Sequence, residues 1–396
     1  MTPRPTDDED DRLLAAIDAF VAAVVVPLEE RNAALLTDPR SRFAPTGSYS
    51  DDVLALKRQV RMASAREGFY TMFTPVDLGG RGKGPLLHYR VWEQLYHHCG
   101  PDRLLPLDTI AHLAGGPSVA LSGASPELRR DVLPGLLSGE RVLCWAFSEA
   151  DAARPLSTVA IRGDGHWLIS GTKHWVSRSP YADVVMVFAR TGEALDNREV
   201  TAFLLPTDLP GMRVEPPTRL FGRAGGEEAT LSLDHVRADD SQIVGRLHGG
   251  LDVAASVNYL STMFTAGRFV GLARWVLDQT ARHQHGTDPS PAQLALADSV
   301  IEIRAAHLMA LDCARRIERD EAVTEDMAMV RAFATEACCR AYDRSMLAFG
   351  AASLTSASRI FDGWHQSRIV LLADSGVQSA KIAIARRLLS GDAPFE

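Results

Sequence analysis

The sequence lacks the features that mark membrane, nucleic-acid-binding and secreted proteins. It contains no uncharged apolar span of about 20 residues, so no membrane-spanning helix is expected. It contains no long run of Lys and Arg, and its formal net charge is −8, which disfavours binding to nucleic acid. The apolar stretch 13–28 follows the acidic run 7–11, which is the opposite of a secretory signal. These absences predict a cytoplasmic protein without a membrane or nucleic-acid partner.

Cysteine is scarce, and the usual metal and phosphate motifs are missing. The five cysteines form no CxxC or metal-ligand spacing, which predicts reduced thiols at Cys99, Cys144, Cys313, Cys338 and Cys339. The 12 histidines contain no HExxH motif and have no accompanying carboxylate or thiol cluster, so we expect no metal site. The glycines of Gly79-Gly80-Arg81-Gly82 do not have the GxGxxG spacing of dinucleotide-binding folds.

The hydrophobic pattern divides this ordinary globular composition, 46% hydrophobic and 23% charged, into three parts. Up to about residue 140 the pattern is helical, and Pro126 fits the first turn of a helix capped by Ser125. Short apolar runs then alternate with turn residues, including a hairpin signal at Asp164-Gly165, until helical patterns resume after Gly250. We predict an N-terminal helical domain at 1–140, a middle domain of strands at 141–248 and a C-terminal helical bundle at 249–396.

The predicted strands and C-terminal helices have definite bounds. The strands are Val142–Phe147, Thr158–Ile161, Trp167–Ile169, Val184–Phe188, Thr201–Leu205 and Ala229–Val236. The C-terminal helical stretches lie near 251–285, 292–319, 324–349 and 376–390. In the second of these stretches, the spacing of Leu296, Val300, Ile303 and His307 predicts one apolar face.

Several segments carry more specific patterns than the periodicity does. They are Trp145-Ala146-Phe147-Ser148-Glu149, the stretch DGHWLISGTKHWVS at 164–177, PVDLGGRG at 75–82, GASPELRRDVLPGLLSGE at 123–140 and the closing segment 368–388. In content and order they resemble the acyl-CoA dehydrogenase superfamily over nearly the whole chain, from about Arg12 to Leu389. The resemblance implies a mainly helical protein of three domains, in which the middle domain is a β-barrel.

The same resemblance implies an FAD enzyme, with FAD held between the barrel and the C-terminal bundle. The implied cofactor-binding residues are Phe147, Ser148, Trp175, Val176, Ser177, Gly350 and Gly376. A flavin that accepts hydride develops negative charge near N1 and the C2 carbonyl, where the hydroxyls of Ser148 and Ser177 would donate hydrogen bonds. Trp175 would cover one face of the ring by stacking. The alternative for Trp175 is a core aromatic residue on a strand.

The catalytic base implied by the resemblance is Asp374. In the family a carboxylate lies six residues after an Arg and ten before Ile-Ala-Arg, and here Arg368 and Ile384-Ala385-Arg386 set that register. Most members have Glu at this position, and the Asp found here resembles nitroalkane oxidase, in which Asp abstracts a proton from a small carbon acid. Lys381 would favour the ionised base if it points toward Asp374. The alternative is that Asp374 caps a helix and that Lys381 is solvated.

The sequence departs from the family at several segments. Ala153-Arg154-Pro155 replaces Gly-Ser-Asp, and Ser261-Thr262 stands where branched-chain enzymes have a second Glu-Arg pair. The pyrophosphate-binding Arg-x-x-Phe-Gly motif is matched only loosely, by RHQHG at 282–286. The family's Gln-x-x-Gly-Gly segment corresponds to residues 347–351, where only one of the two glycines is present.

The predicted activity is α,β-dehydrogenation or oxidation of an acyl thioester, bound to CoA or to an acyl-carrier protein in a biosynthetic pathway. The electrons would pass to an electron-transfer partner or to oxygen, and the family implies a homotetramer or dimer. One alternative is a flavin-dependent monooxygenase or nitroalkane-type oxidase on the same fold. The other is a non-catalytic partner subunit with a degraded flavin site.

Overall fold

The computed structural model describes residues 5–101, 103–151, 156–193, 197–218, 227–285, 291–355, 358–372 and 376–391. The N-terminal part is helical, as predicted. Its helices are α1 (Pro5–Phe20), α2 (Val26–Arg31), α3 (Ala33–Thr37), α4 (Pro39–Arg42), α5 (Asp51–Glu67), α6 (Pro85–Cys99) and α7 (Pro126–Leu137). The predicted cap is present at α7, because the Ser125 hydroxyl accepts a hydrogen bond from the Leu128 amide at 3.2 Å.

A sheet follows, and all six predicted apolar runs form strands in it. The strands are β1 (Leu143–Ala146), β2 (Val159–Arg162), β3 (Trp167–Ser177), β4 (Val184–Arg190), β5 (Val200–Pro206), β6 (Met212–Val214), β7 (Glu228–Ala238) and β8 (Ile243–Val244). Their order within the described part is β6-β7-β3-β2-β4-β5-β8, and β1 pairs with β4 in parallel. β3 continues past its predicted end at Ile169 to Ser177, and the short strands β6 and β8 were not predicted.

The two faces of β4 show how the sheet packs. Val184, Met186 and Phe188 belong to an apolar cluster shared with α7. The alternate residues Val185 and Val187 belong to a second cluster, to which β1 to β7 all contribute side chains. Because successive side chains of a strand point to opposite faces, this continuous apolar run is buried on both sides. The sheet therefore surrounds one apolar interior, and its outer face packs against α7.

The C-terminal part is a helical bundle. Its helices are α8 (Gly250–Ser256), α9 (Asn258–His283), α10 (Pro291–Ile317), α11 (Thr324–Phe349), α12 (Arg359–Leu372) and α13 (Gly376–Leu389). The first predicted stretch is interrupted at Val257, and α12 was not predicted as a separate helix. The predicted apolar face of α10 is wrong in part, because Val300 is 56% exposed and Ser299 is buried in its place.

Two glycines bring α9 close to α6. A Cβ on Gly267 would lie 2.7 Å from the Tyr89 carbonyl oxygen, and one on Gly271 would lie 2.3 Å from the Glu93 carbonyl oxygen. Any larger residue would push the helices apart. This contact joins the N-terminal helices to the bundle in one apolar core that also includes α1 and α11. The switches from helix to strand and back lie near the predicted boundaries at 140 and 248, and the exact domain bounds stay a prediction.

The described residues contain no membrane-spanning helix and no metal-binding cluster. None of the helices described there is long and apolar enough to cross a membrane. No group of three or more metal-ligating side chains occurs among the described residues. The five cysteines are all buried and carry free thiols.

Candidate cofactor-binding and active site

The ends of β1 and β3 lie side by side. Five of the predicted cofactor residues are at or next to these ends: Phe147, Ser148, Trp175, Val176 and Ser177. The His174 amide donates a hydrogen bond to the Ser148 carbonyl oxygen at 3.0 Å, which joins the two ends directly. Residues that are far apart in the sequence therefore form one continuous edge of the sheet.

A buried ion pair fastens the two strand ends together. The Lys173 side chain on β3 is 0% exposed, and its Nζ lies 2.9 Å from Oε1 of Glu149. The same ammonium donates a hydrogen bond to the Phe147 carbonyl oxygen at 3.1 Å. Burial lowers the pKa of Lys173 to about 8 although the Glu149 charge opposes this. The ammonium form still predominates at neutral pH, so Lys173 ties β3 to the end of β1.

Glu149 also holds the far end of the loop that follows β1. Its carboxylate accepts hydrogen bonds from the Ser157 amide at 2.6 Å and the Thr158 amide at 3.0 Å, and from both hydroxyls. Burial would raise the pKa of Glu149, but the Ser157 hydrogen bonds and the Lys173 charge lower it to about 2. The ionised carboxylate therefore closes the loop. The residues 153–155 of this loop, which replace Gly-Ser-Asp, lie outside the described residues.

Trp175 stands at the end of β3 with its indole accessible. It is 56% exposed, so the alternative of a core aromatic residue is wrong. Its backbone has φ 58°, in the left-handed region that costs a bulky residue roughly 1–2 kcal/mol. The register of β3 against β7 is irregular between Lys173 and Val176, and this bulge imposes the strained conformation. The strand thus presents a large aromatic face that nothing in the described structure covers fully.

The neighbouring residues fit a planar cofactor with polar edges. Ser148 is exposed and Ser177 is half-buried, so both are open to hydrogen-bonding partners. Phe147 packs edge-on against Phe188, with ring centroids 5.0 Å apart, which fixes the loop that carries Ser148. The Val176 side chain is 0% exposed in the sheet interior, so only its backbone could meet a cofactor. An exposed indole beside hydroxyl donors is the arrangement that a flavin ring requires.

The other predicted site residues lie in the C-terminal part. Gly350 follows α11 with φ 58°, and open space surrounds the position where a Cβ would lie. It is next to the end of α9, where His283 stacks on Phe349 with ring centroids 4.1 Å apart. Gly376 is the first residue of α13. Asp374, the predicted base, lies outside the described residues, as does Gly286 of the loosely matched pyrophosphate motif.

Three residues that the sequence related to the predicted base have partners of their own. The ammonium of Lys381 pairs with Glu336 on α11, so it is not simply solvated. The hydroxyls of Ser261 and Thr262 each accept a hydrogen bond from Arg331 Nη2 at 3.1 Å. Neither residue carries a carboxylate that could act as a base.

Comparison with known families decides the identity of the fold. The profile of the acyl-CoA dehydrogenase middle domain matches residues 144–236, and that of the acyl-CoA dehydrogenase C-terminal domain matches residues 248–389. The chain belongs to the acyl-CoA dehydrogenase family. It is therefore a flavin oxidoreductase of this family, with FAD as its cofactor and the family's three-domain fold.

Individual relatives agree with this assignment. The chain is 25% identical over 363 residues to cyclohexane-1-carbonyl-CoA dehydrogenase of Geobacter metallireducens, covering 88% of this chain and 94% of the relative. It is 24% identical over 334 residues to human mitochondrial short-chain specific acyl-CoA dehydrogenase, covering 81% and 80%. The fold is similar to that of a Mycobacterium smegmatis glutaryl-CoA dehydrogenase solved with FADH2, with a TM-score of 0.77, 19% identity and coverage of 98% and 96%.

The sequence motifs contain two residues, Glu149 and Lys173, whose structural role was not predicted. Glu149 and Lys173 belong to the quoted segments, but nothing in the sequence indicated that they form a buried pair. Lys and Glu are usually solvent-exposed, so their residue types suggest a surface position. The only available signal was their place within two motifs that both resemble flavin-binding segments.

Proposed function

We propose that this enzyme removes a proton from the α-carbon and a hydride from the β-carbon of an acyl thioester, leaving a carbon–carbon double bond. The observation that carries this proposal is the joined end of β1 and β3, where exposed Trp175 stands beside the Ser148 loop. The chemistry that FAD supplies when bound is acceptance of the hydride. The roles of the individual residues follow from the family and from their position.

In this proposal the chain's own residues hold the flavin ring and accept the α-proton. Trp175 would cover one face of the flavin ring and exclude water from it, while Ser148 and Ser177 would donate hydrogen bonds to its polar edge. Asp374 accepts the α-proton, because it is the carboxylate that the register from Arg368 places at the family's base position. Phe147 and the backbone of Val176, Gly350 and Gly376 would complete the proposed set of cofactor contacts.

The thioester is proposed to be carried by CoA or by an acyl-carrier protein. The named relatives act on acyl-CoA compounds, which supports a CoA thioester. The altered segment at 153–155 supports the carrier-protein version of the same reaction in a biosynthetic pathway, because this chain lacks Gly-Ser-Asp there. Electrons would leave through an electron-transfer flavoprotein or oxygen, which stopped-flow reoxidation with each acceptor distinguishes.

A second candidate is an oxidase or monooxygenase acting on a small carbon acid such as a nitroalkane. The observation that favours it is the identity of residue 374, because Asp rather than Glu stands at the base position. A shorter carboxylate suits a substrate that binds closer to the base. Both candidates begin with removal of an acidic C–H proton, and they differ in the substrate and in the use of oxygen.

Anaerobic bleaching of the flavin separates these candidates. The purified FAD-bound enzyme is mixed without oxygen with CoA thioesters, carrier-protein thioesters and nitroalkanes, and the visible flavin absorbance is followed. We expect a saturated acyl thioester to bleach the flavin and to yield the enoyl product by mass spectrometry. Bleaching by nitroalkanes alone, or oxygen-isotope incorporation into the product in air, would instead establish the second candidate.

The proposed assembly is a homotetramer or dimer. Large apolar side chains are exposed on three C-terminal helices or at their ends: Leu294, Val300, Ile301, Leu308, Leu347, Ile382, Leu388 and Leu389. Apolar surface concentrated in this way is typical of protein–protein contacts. We expect light scattering to give two or four times the chain mass of 43.0 kDa, and a monomer would contradict this part of the proposal.

A further inference from the structure

A small buried cavity lies between the N-terminal helices and the start of α9. Its walls are mostly apolar, and they include Phe73, Leu113 and Leu260. The cavity has a volume of about 10 Å³, which is room for a single water-sized group. Apolar walls with a few convergent polar groups are typical of a ligand pocket. The polar groups in this wall therefore indicate what the cavity receives.

His88 contributes a hydrogen-bond donor that has no partner. Its side chain lies on α6 and is 2% exposed, and its Nε2 accepts a hydrogen bond from the Trp92 indole at 3.0 Å. An indole N–H can only donate, so the neutral imidazole must carry its proton on Nδ1. Burial lowers the pKa of His88 to about 3, so the ring remains neutral. Nδ1 is buried and makes no hydrogen bond within the described structure.

Ser118 contributes a second group of the same kind. It is 2% exposed, lines the same cavity, and its hydroxyl has no hydrogen-bond partner in the described part of the chain. Two other polar residues border the cavity. The Thr74 hydroxyl already donates to the Pro117 carbonyl oxygen at 2.8 Å, and burial raises the pKa of Tyr70 to about 12, so its phenol stays protonated. The lining therefore offers neutral donors and no charge.

The cavity is attached to the strand that carries the cofactor residues. Leu113 packs in the same apolar cluster as Trp145 and Phe147. The Leu143 amide, at the start of β1, donates a hydrogen bond to the Gly115 carbonyl oxygen at 3.2 Å. At about 3.3 Å per residue, β1 separates this loop from Phe147 by roughly 13 Å. A ligand that reaches both places would enter the cavity with atoms distant from its reacting carbons.

We infer that this cavity binds a neutral oxygen, a hydroxyl or keto group, on the distal part of the substrate's acyl chain. The inference rests on the proposed thioester dehydrogenation and specifies its substrate class. The His88 Nδ1–H and the Ser118 hydroxyl donate to that oxygen, and a hydroxyl could donate in turn to Thr74 Oγ1. Two buried polar groups without partners facing one cavity are rare in native proteins and are explained when an oxygen binds between them. A carboxylate or phosphate does not fit, because no Lys or Arg is among the described residues that line the space.

The test uses CoA thioesters of one chain length in which a single hydroxyl or keto oxygen is moved stepwise outward from the γ-carbon. With the FAD-bound enzyme we expect one oxygen position to raise kcat/KM at least about 10-fold over the unsubstituted chain. Ser118→Ala should lower kcat/KM on the preferred oxygenated chain by about 10-fold. Ser345→Ala is the matched control, because Ser345 is equally buried, its hydroxyl also lacks a partner, and it lies on α11.

A second pair of variants distinguishes loss of the hydrogen-bond donor from loss of folding. His88→Asn keeps an N–H donor close to the position of Nδ1, whereas His88→Leu removes it, and thermal unfolding of both is compared first. We expect Asn to retain more of the preference than Leu. Equal rates on oxygenated and unsubstituted thioesters would mean that the cavity holds only water and would overturn the inference, with the proposed function intact. Failure of every thioester to bleach the flavin would overturn the proposed function and this inference together.

Discussion

Replacing Asp374 by Asn is expected to lower the rate of anaerobic flavin bleaching by about 10²- to 10⁴-fold, the usual contribution of a positioned general base. The Asn amide has the same size as the Asp carboxyl group, but it cannot accept the α-proton. Binding of FAD should be unchanged. The measurement is single-turnover bleaching by a saturating thioester, together with the flavin content of the purified variant.

The choice of Asn also separates catalysis from helix capping. Asn is as good an N-cap as Asp, so Asp374→Asn would preserve the predicted alternative, a helix cap, while removing the base. Asp374→Ala removes both functions, and only that variant should also lose stability. Asp298→Asn is the matched control, since Asp298 is an exposed carboxylate on α10. Normal turnover by Asp374→Asn would refute the assignment of the base.

Replacing Lys173 by Met should lower the free energy of unfolding by about 3–5 kcal/mol, the usual result of removing one partner from a buried ion pair. The substitution leaves the Glu149 carboxylate ionised and only 8% exposed, without its counter-charge. It also removes the hydrogen bond from Lys173 Nζ to the Phe147 carbonyl oxygen. We therefore expect weaker FAD binding as well, measured by urea unfolding of the apoprotein and by FAD titration.

Three comparison variants make this expectation specific. Lys173→Met with Glu149→Gln should recover part of the stability, because no unpaired charge is then buried. Arg246→Met breaks an ion pair whose side chains are 77% and 71% exposed, and should cost no more than about 1 kcal/mol. Trp175→Ala should weaken FAD binding with little effect on unfolding, since the indole is exposed. If Lys173→Met unfolded like the wild type, the pair would not hold the strand ends together.

Local patterns in the sequence determined the elements. Short apolar runs bounded by turn residues predicted the strands and the 3.6-residue repeat predicted most helices, because these patterns depend only on neighbouring residues. Ser125 at the start of α7 and the Asp164-Gly165 hairpin between β2 and β3 are local signals of the same kind. The five quoted segments together indicated the family, which the domain matches confirm.

Local patterns could not identify which face of a helix is buried in the assembled bundle. Val300 fits the apolar repeat of α10, and yet it is 56% exposed. Burial depends on where α9 and α11 lie, and the sequence of α10 alone does not specify their positions. The break between α8 and α9 at Val257 was missed for a similar reason, since the apolar pattern continues through it.

Only the tertiary structure decided the contacts of the candidate site. The pairing of Glu149 with Lys173, the exposure of Trp175 and the meeting of His88 with Ser118 at one cavity each join segments that are separate in the sequence. The sequence by itself determined the residue types and the elements that carry them. Their chemistry depends on burial and on distances of about 3 Å, and these arise when strands and helices from different parts of the chain pack together.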